Sequence, residues 1–166
     1  FQDTNLFKTS VKENVAVFNP DASREDIFQA LHLAQCDDIL EKLPQGVDTV
    51  IGTKGIYLSG GEMQRIALAR AILKNAPVVL LDEATAFADA ENEYLIQKAL
   101  DELLRGKTVI MIAHRLSTII HADQICVLES GKIVEKGTHH ELMDMQGVYA
   151  GMYEEYQSNI SWRIGE

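Results

Sequence analysis

No apolar run in this 166-residue chain approaches the roughly 20 residues a membrane-spanning helix needs. No charged-then-apolar leader opens it, and it begins at Phe1 inside motif-like sequence. The chain therefore reads as a piece of a longer polypeptide. Positive charge is scarce: 15 Lys and Arg stand against 25 Asp and Glu, for a net charge of −10. Broad nucleic-acid contact depends on clustered positive charge, so no nucleic-acid partner is expected. Cysteine is nearly absent. Cys36 and Cys126 lack CxxC spacing and lie in apolar contexts. They are expected to be buried thiols rather than a disulfide or metal pair, in keeping with a reducing compartment. Internal repeats and low-complexity linkers are also missing.

What remains is a globular composition, 46% apolar, long enough to bury a core. Residues 1 to 22 read as irregular with short helical turns, and Pro20 punctuates them. Ser23 with Asp26 opens a capped helix whose Ile27, Ala30, Leu31 and Ala34 share a face. Residues 37 to 43 form a short helix stopped by Pro44. Residues 45 to 57, with Gly46, Gly52 and Gly55, read as a loop. From Pro77 the pattern changes. Residues 78 to 81 are continuously apolar, as in a strand buried on both faces. An amphipathic helix follows over 91 to 105, turning Leu95, Ala99, Leu100, Leu103 and Leu104 inward and stopping at Gly106. Residues 109 to 112 form a second buried strand. Residues 124 to 128 and 132 to 136 form two more, joined by Glu129-Ser130-Gly131. Thr138 and Glu141 make another capping box, and 149 to 156 a final helix. Strand, helix, strand implies a parallel α/β sheet with a right-handed crossover.

The most informative stretch is Leu58-Ser59-Gly60-Gly61-Glu62-Met63-Gln64-Arg65. Glu62 lies three positions after Ser59, the capping-box spacing, and Ile66, Ala69, Ile72 and Leu73 continue at helical spacing. Ser59 is thus the N-cap of a helix over residues 60 to 74. Gly60 and Gly61 leave its first turn bare. The unpaired N–H groups and helix dipole make that end positive, which suits a phosphate. The four-residue box alone marks only a capped helix. It gains meaning from Val78-Val79-Leu80-Leu81-Asp82-Glu83 downstream, because open α/β sheets bind ligands at the carboxyl ends of their strands.

Together these two stretches resemble the signature and Walker B motifs of the ATP-binding cassette of ABC transporters. The likeness extends along most of the chain. Phe1-Gln2-Asp3-Thr4-Asn5-Leu6-Phe7 is similar to the Q-loop, and Val11-Lys12-Glu13-Asn14 to the exporter sequence after it. Residues 49 to 55 resemble the X-loop of exporter cassettes. Ala86-Phe87-Ala88-Asp89 resembles the D-loop, although family members commonly carry Ser-Ala-Leu-Asp. His114, in Ile112-Ala113-His114-Arg115, resembles the switch histidine, and Gly137-Thr138-His139-His140-Glu141-Leu142 an exporter C-terminal segment.

The resemblance implies a partial P-loop NTPase (RecA-like) sheet with an α-helical signature subdomain. Residues 1–75 would hold the Q-loop and signature subdomain, and 76–166 the C-terminal half of the RecA-like core. It implies ATP and Mg2+ as ligand and cofactor. Gln2 and Asp82 would serve the metal, Glu83 would act as general base, and His114 would contact the terminal phosphate. Ser59, Gly60, Gly61 and Gln64 would face a nucleotide, and Asp89 the interface of a head-to-tail dimer with a second cassette. Transmembrane domains, fused or separate, would be the other partner, at the cytoplasmic face of the cell membrane. Alternatives from other classes are a soluble ABC-type ATPase of DNA maintenance or translation, and a non-catalytic truncated cassette.

One part is missing. A Walker A loop reads G-x-x-x-x-G-K-[ST] between a strand and a helix. Gly106-Lys107-Thr108 fits only its last three positions, because Asp101 stands five before Gly106, and it leaves a helix to enter a strand. It reads as a helix stop. The chain alone is therefore expected to lack ATPase activity. His139-His140-Glu141 is expected to start a helix rather than bind zinc, and Tyr149, Tyr153 and Tyr156 to pack.

Overall fold

A computed structural model of the chain describes residues 5–52, 56–82, 90–113 and 116–164. They fall into two compact units that meet in sequence between Ile112 and Ala113. The expected division between residues 75 and 76 falls inside the first of these units.

The first unit is a helical layer followed by a parallel strand pair. α1 (Val11–Val15), α2 (Arg24–Leu33) and α4 (Gly60–Lys74) each open on a serine capping box, at Ser10, Ser23 and Ser59. In each, the serine side chain accepts from the N3 backbone N–H, and the N3 carboxylate accepts from the serine N–H. Two otherwise unpaired donors are satisfied reciprocally, a device worth about 1 kcal/mol per helix. α3 (Asp37–Lys42) lacks a side-chain cap. α4 ends on Asn75 in the left-handed region (φ 47°), with Pro77 just beyond. β1 (Val78–Asp82) leads through α5 (Ala90–Leu104) to β2 (Thr108–Ile112). The strands are parallel, with Val78 opposite Thr108 and Asp82 opposite Ile112. Gly106, at φ 69°, makes the turn from α5 into β2, so Gly106-Lys107-Thr108 is indeed a helix stop.

The core of this unit joins Val11 and Val15, Leu31, Ile39, Ile66 and Ala69, Val79 and Leu81, and Ile96, Ala99 and Leu103. Ile72, Leu73 and Leu104 pack against it from half-buried positions. Ile96, which the helical pattern omitted, is buried in place of the expected Leu95. The expectation of strands buried on both faces requires correction. Val79 and Leu81 are buried, but Leu80 is 66% exposed and β2 is exposed throughout. Among the described residues, helices cover only one face of the pair. Parallel sheets ordinarily have both faces covered, whereas the outward side chains Val78, Leu80, Ile110 and Ile112 of this pair are apolar and exposed.

The second unit is built on β3 (Ile125–Glu129) and β4 (Lys132–Gly137), an antiparallel hairpin. Its turn residues Ser130 and Gly131 both have positive φ (51° and 78°), as a two-residue turn that matches strand twist requires. α6 (His139–Asp144) is capped by Thr138 with Glu141. α7 (Val148–Ile164) starts where the Glu135 carboxylate accepts the N–H groups of Val148 (2.6 Å) and Tyr149 (2.9 Å). Ile125, Val127, Leu142 and Tyr149 form its core. Tyr149 accordingly packs, stacked near Tyr153, with its hydroxyl 2.9 Å from His139 Nδ1. The two cysteines divide. Cys36 is buried and its thiol is pushed up to about 12 by desolvation, whereas Cys126 is exposed, contrary to expectation. Cys126 alternates outward between buried Ile125 and Val127, so strand period overrides apolar context.

Candidate nucleotide-phosphate site

The site is organised by the N-terminus of α4. Ser59 sits in extended conformation (φ −63°, ψ 162°) and its Oγ accepts from Glu62 N–H at 3.2 Å. Glu62 Oε2 accepts from Ser59 N–H at 2.8 Å. The box fixes where the helix starts and leaves the Gly60 turn exposed. A Cβ on Gly60 would meet open space.

Gly61 differs. A Cβ there would lie 2.6 Å from Asn92 Cγ and 2.8 Å from Asn92 Cβ. The second glycine therefore lets the first turn of α5 pack against the first turn of α4. This is a packing role that the sequence did not disclose. Gly61→Ala is expected to destabilise the domain by about 1–3 kcal/mol through overpacking. Gly60→Ala should leave thermal stability unchanged or slightly higher, since Ala is the better helix former. Equal melting temperatures for the two variants in the full-length parent would refute the packing role. Gln64, half-buried on the second turn, shares the α4 tip with Ser59, Gly60 and Gly61.

Beneath the tip, α3 and α4 are joined by charge. Arg65 is 1% exposed, and its guanidinium donates to the Gln35 carbonyl and to both Asp38 oxygens, at 2.6 and 3.1 Å. Lys42 Nζ lies 3.3 Å from Glu62 Oε1 and 3.5 Å from Asp38 Oδ2. The hydrogen-bonded Arg65 guanidinium holds the Asp38 carboxyl below its ordinary value. Burial pushes the Glu62 carboxyl up, but the Ser59 N–H and hydroxyl and the Lys42 ammonium outweigh it and hold it low. Depressed carboxyl values stabilise the fold above the ordinary range near pH 4, and that stability is lost as pH falls through the folded values. At neutral pH both carboxylates are charged and the linkage is intact.

The segment after Gln2 is held by a buried asparagine. Asn14 is 0% exposed. Its Oδ1 accepts from Phe7 N–H (2.8 Å) and from Arg70 (3.2 Å), and its Nδ2 donates to the Phe7 carbonyl (2.9 Å). Residues 9 to 11 also pair with the X-loop-like stretch, through Val11 N–H to Thr49 O and Ile51 N–H to Thr9 O, both 3.0 Å. Gly52, at φ 85°, allows this approach, since a Cβ would sit 2.7 Å from the Phe7 carbonyl oxygen. The segment that follows the Q-loop-like stretch is thus hydrogen-bonded to the start of the X-loop-like stretch.

Asp82 ends β1 exposed, level with Ile112 at the carboxyl edge of the pair. Its carboxylate suits a hard cation. His139 and His140 open α6 directly after the Thr138 cap, and among the described residues no group of three or more His, Cys, Asp or Glu could hold a metal. A single carboxylate fits the way Mg2+ is held, through one or two side chains with waters and substrate phosphates completing the shell. Gln2, Glu83, Asp89 and His114 lie outside the described residues. Lys42, Asp38, Asn92 and Asn14 were not singled out from sequence, because their partners are distant along the chain.

The ABC transporter family model matches residues 1–86. The chain belongs to the ABC transporter family and forms part of its nucleotide-binding domain, a P-loop NTPase-type fold. It is 51% identical over 156 residues to an ATP-dependent lipid A-core flippase of Legionella pneumophila (strain Paris), covering 94% of this chain and 26% of that protein. It is 56% identical over 153 residues to a mycobactin import ATP-binding/permease protein of Mycolicibacterium smegmatis, covering 92% and 18%. A solved bacterial Atm1-family ABC exporter with ATP bound aligns with a TM-score of 0.77 at 42% identity, over 93% of this chain and 27% of that one. The chain thus spans about a quarter or less of the length of these relatives.

Proposed function

We propose that the parent of this chain hydrolyses ATP to drive transport across a membrane, and that the chain supplies the signature tip and the Walker B strand of that engine. The observation that carries the reading is the tip of α4. It is a capped helix start of 15 residues whose first turn, at Gly60, is open. Such a tip binds phosphate through unpaired N–H groups and the helix dipole.

In this reading Ser59, Gly60, Gly61 and Gln64 close over the terminal phosphate of ATP held mainly by a partner cassette in a head-to-tail dimer, with Asp89 at the interface. Gln2, Asp82, Glu83 and His114 serve the chain's own site. Asp82 and Gln2 would hold Mg2+, which supplies charge neutralisation on the phosphates when bound. Glu83 takes the proton of the attacking water, and His114 orients the terminal phosphate. Catalysis is then mainly positioning and electrostatics. A Walker A loop, absent from the sequence, would come from the rest of the parent, and the open face of β1 and β2 would be covered there. The isolated chain should accordingly show no ATPase activity. Relatives named as flippase and ATP-binding/permease proteins support a membrane transporter, with its cassette at the cytoplasmic face, over a soluble ATPase of DNA maintenance. The exporter-type reading rests on the Q-loop, X-loop and C-terminal motifs and on the Atm1-family neighbour.

The test is Ser59→Arg in the full-length parent reconstituted in lipid vesicles. It adds bulk at the tip, and ATP hydrolysis should fall about a hundredfold, as when one transition-state donor is lost. Unchanged hydrolysis by this variant, or none by the wild type, would overturn the proposal.

A further inference from the structure

The tip of α4 carries an apparent contradiction. An anion site gains from positive charge, yet Glu62 places a carboxylate in its first turn. That carboxylate helps the helix, because it complements the dipole. It opposes a phosphate, because like charges repel.

The structure resolves the conflict from α3. α4 offers Glu62 and Arg65, three residues apart, and α3 offers Asp38 and Lys42, four apart, so each pair lies along one side of its helix. They interleave as Glu62, Lys42, Asp38 and Arg65, alternating in sign, with contacts of 3.3, 3.5 and 2.6 Å. Glu62 Oε2 is engaged by the Ser59 N–H, and Lys42 takes the other oxygen. The Lys42 side chain is 65% exposed and that of Glu62 only 16%. The carboxylate is therefore less screened by water than the ammonium that answers it.

We propose that Lys42 is a positioning residue for the phosphate-facing tip, acting through Glu62: it neutralises that carboxylate and holds it in the capping box. This rests on the reading of α4 as a phosphate site. Arg65 and Asp38 anchor the far end of the ladder and keep α3 in register with α4. Without Lys42 the tip retains its fold and gains an uncompensated negative charge beside the phosphate.

The test uses the full-length parent in lipid vesicles and compares wild type with Lys42→Gln, Lys42→Arg, Glu62→Gln and the Lys42→Gln/Glu62→Gln double variant. Lys42→Gln should raise the KM for ATP about threefold, the scale of an exposed ion pair, with kcat changed less. Lys42→Arg should recover the wild-type KM. The double variant should match Glu62→Gln, because without the carboxylate nothing remains to neutralise. The gap between wild type and Lys42→Gln should narrow in about 0.5 M salt, where surface charges are screened. An unchanged KM in Lys42→Gln, even with a lowered melting temperature, overturns the proposal. So does a penalty that persists in full in the double variant. Loss of the phosphate reading has a separate signature: Ser59→Arg would then hydrolyse ATP normally, and the ladder would have no phosphate to serve.

Discussion

Glu83→Gln in the full-length parent is expected to lower ATP turnover by about 10²–10⁴-fold while ATP binding persists. The amide has nearly the same shape as the carboxylate but cannot accept the proton of an attacking water. β1 delivers this position: Asp82 is its last residue, exposed at the carboxyl edge of the pair, and Glu83 follows directly in sequence. The substitution leaves untouched the contacts proposed for the helix tip, Asp82 and the rest of the parent, so nucleotide should still bind and remain bound unhydrolysed. Phosphate release and equilibrium ATP binding, measured on the same preparation, test both halves. Wild-type phosphate release would refute the general-base assignment. Loss of ATP binding along with turnover would show that Glu83 holds nucleotide instead.

Asp38→Ala is expected to produce the largest loss of stability. It leaves the Arg65 guanidinium, 1% exposed, with the Gln35 carbonyl but no carboxylate. Breaking a fully buried ion pair costs roughly 3–5 kcal/mol. The Asp38 side chain is 44% exposed, so water can approach its side of the pair, and about 2–3 kcal/mol is expected once that screening is allowed for. Asp38→Asn should cost less, because the amide oxygen still accepts from Arg65. Arg65→Lys should not restore the wild-type value, because an ammonium cannot make the two-pronged contact. Chemical denaturation of the parent, followed at the nucleotide-binding domain, measures the order. Equal midpoints for wild type and Asp38→Ala would show that the pair adds no net stability.

Local features were legible because their causes lie within a few residues. The boxes at Ser23, Ser59 and Thr138 each place an acid three positions after the cap. A fourth, Ser10 with Glu13, was not read as a cap, since the helix it opens is five residues long and shows no periodic face. The turn at Ser130 and Gly131 and the stop at Gly106 follow from backbone conformations that favour small residues. Errors arose where burial was inferred from composition. The run at 78 to 81 suggested two covered faces, yet Val78 and Leu80 face outward. An apolar run records hydrophobicity alone, and which side of a strand is buried depends on what packs against it. Cys126 looked buried by its neighbours and is turned outward by the pleat.

By itself the sequence determined the elements, the capped tip at Ser59, the Walker B strand and the family to which they belong. These are short-range matters of hydrogen bonding and periodicity. Only the tertiary structure decided that Gly61 exists to admit Asn92, that Asn14 ties Phe7 to Arg70, and that Lys42 answers Glu62 from 20 residues away. Such contacts join residues through space, and which distant side chains meet depends on how the helices pack.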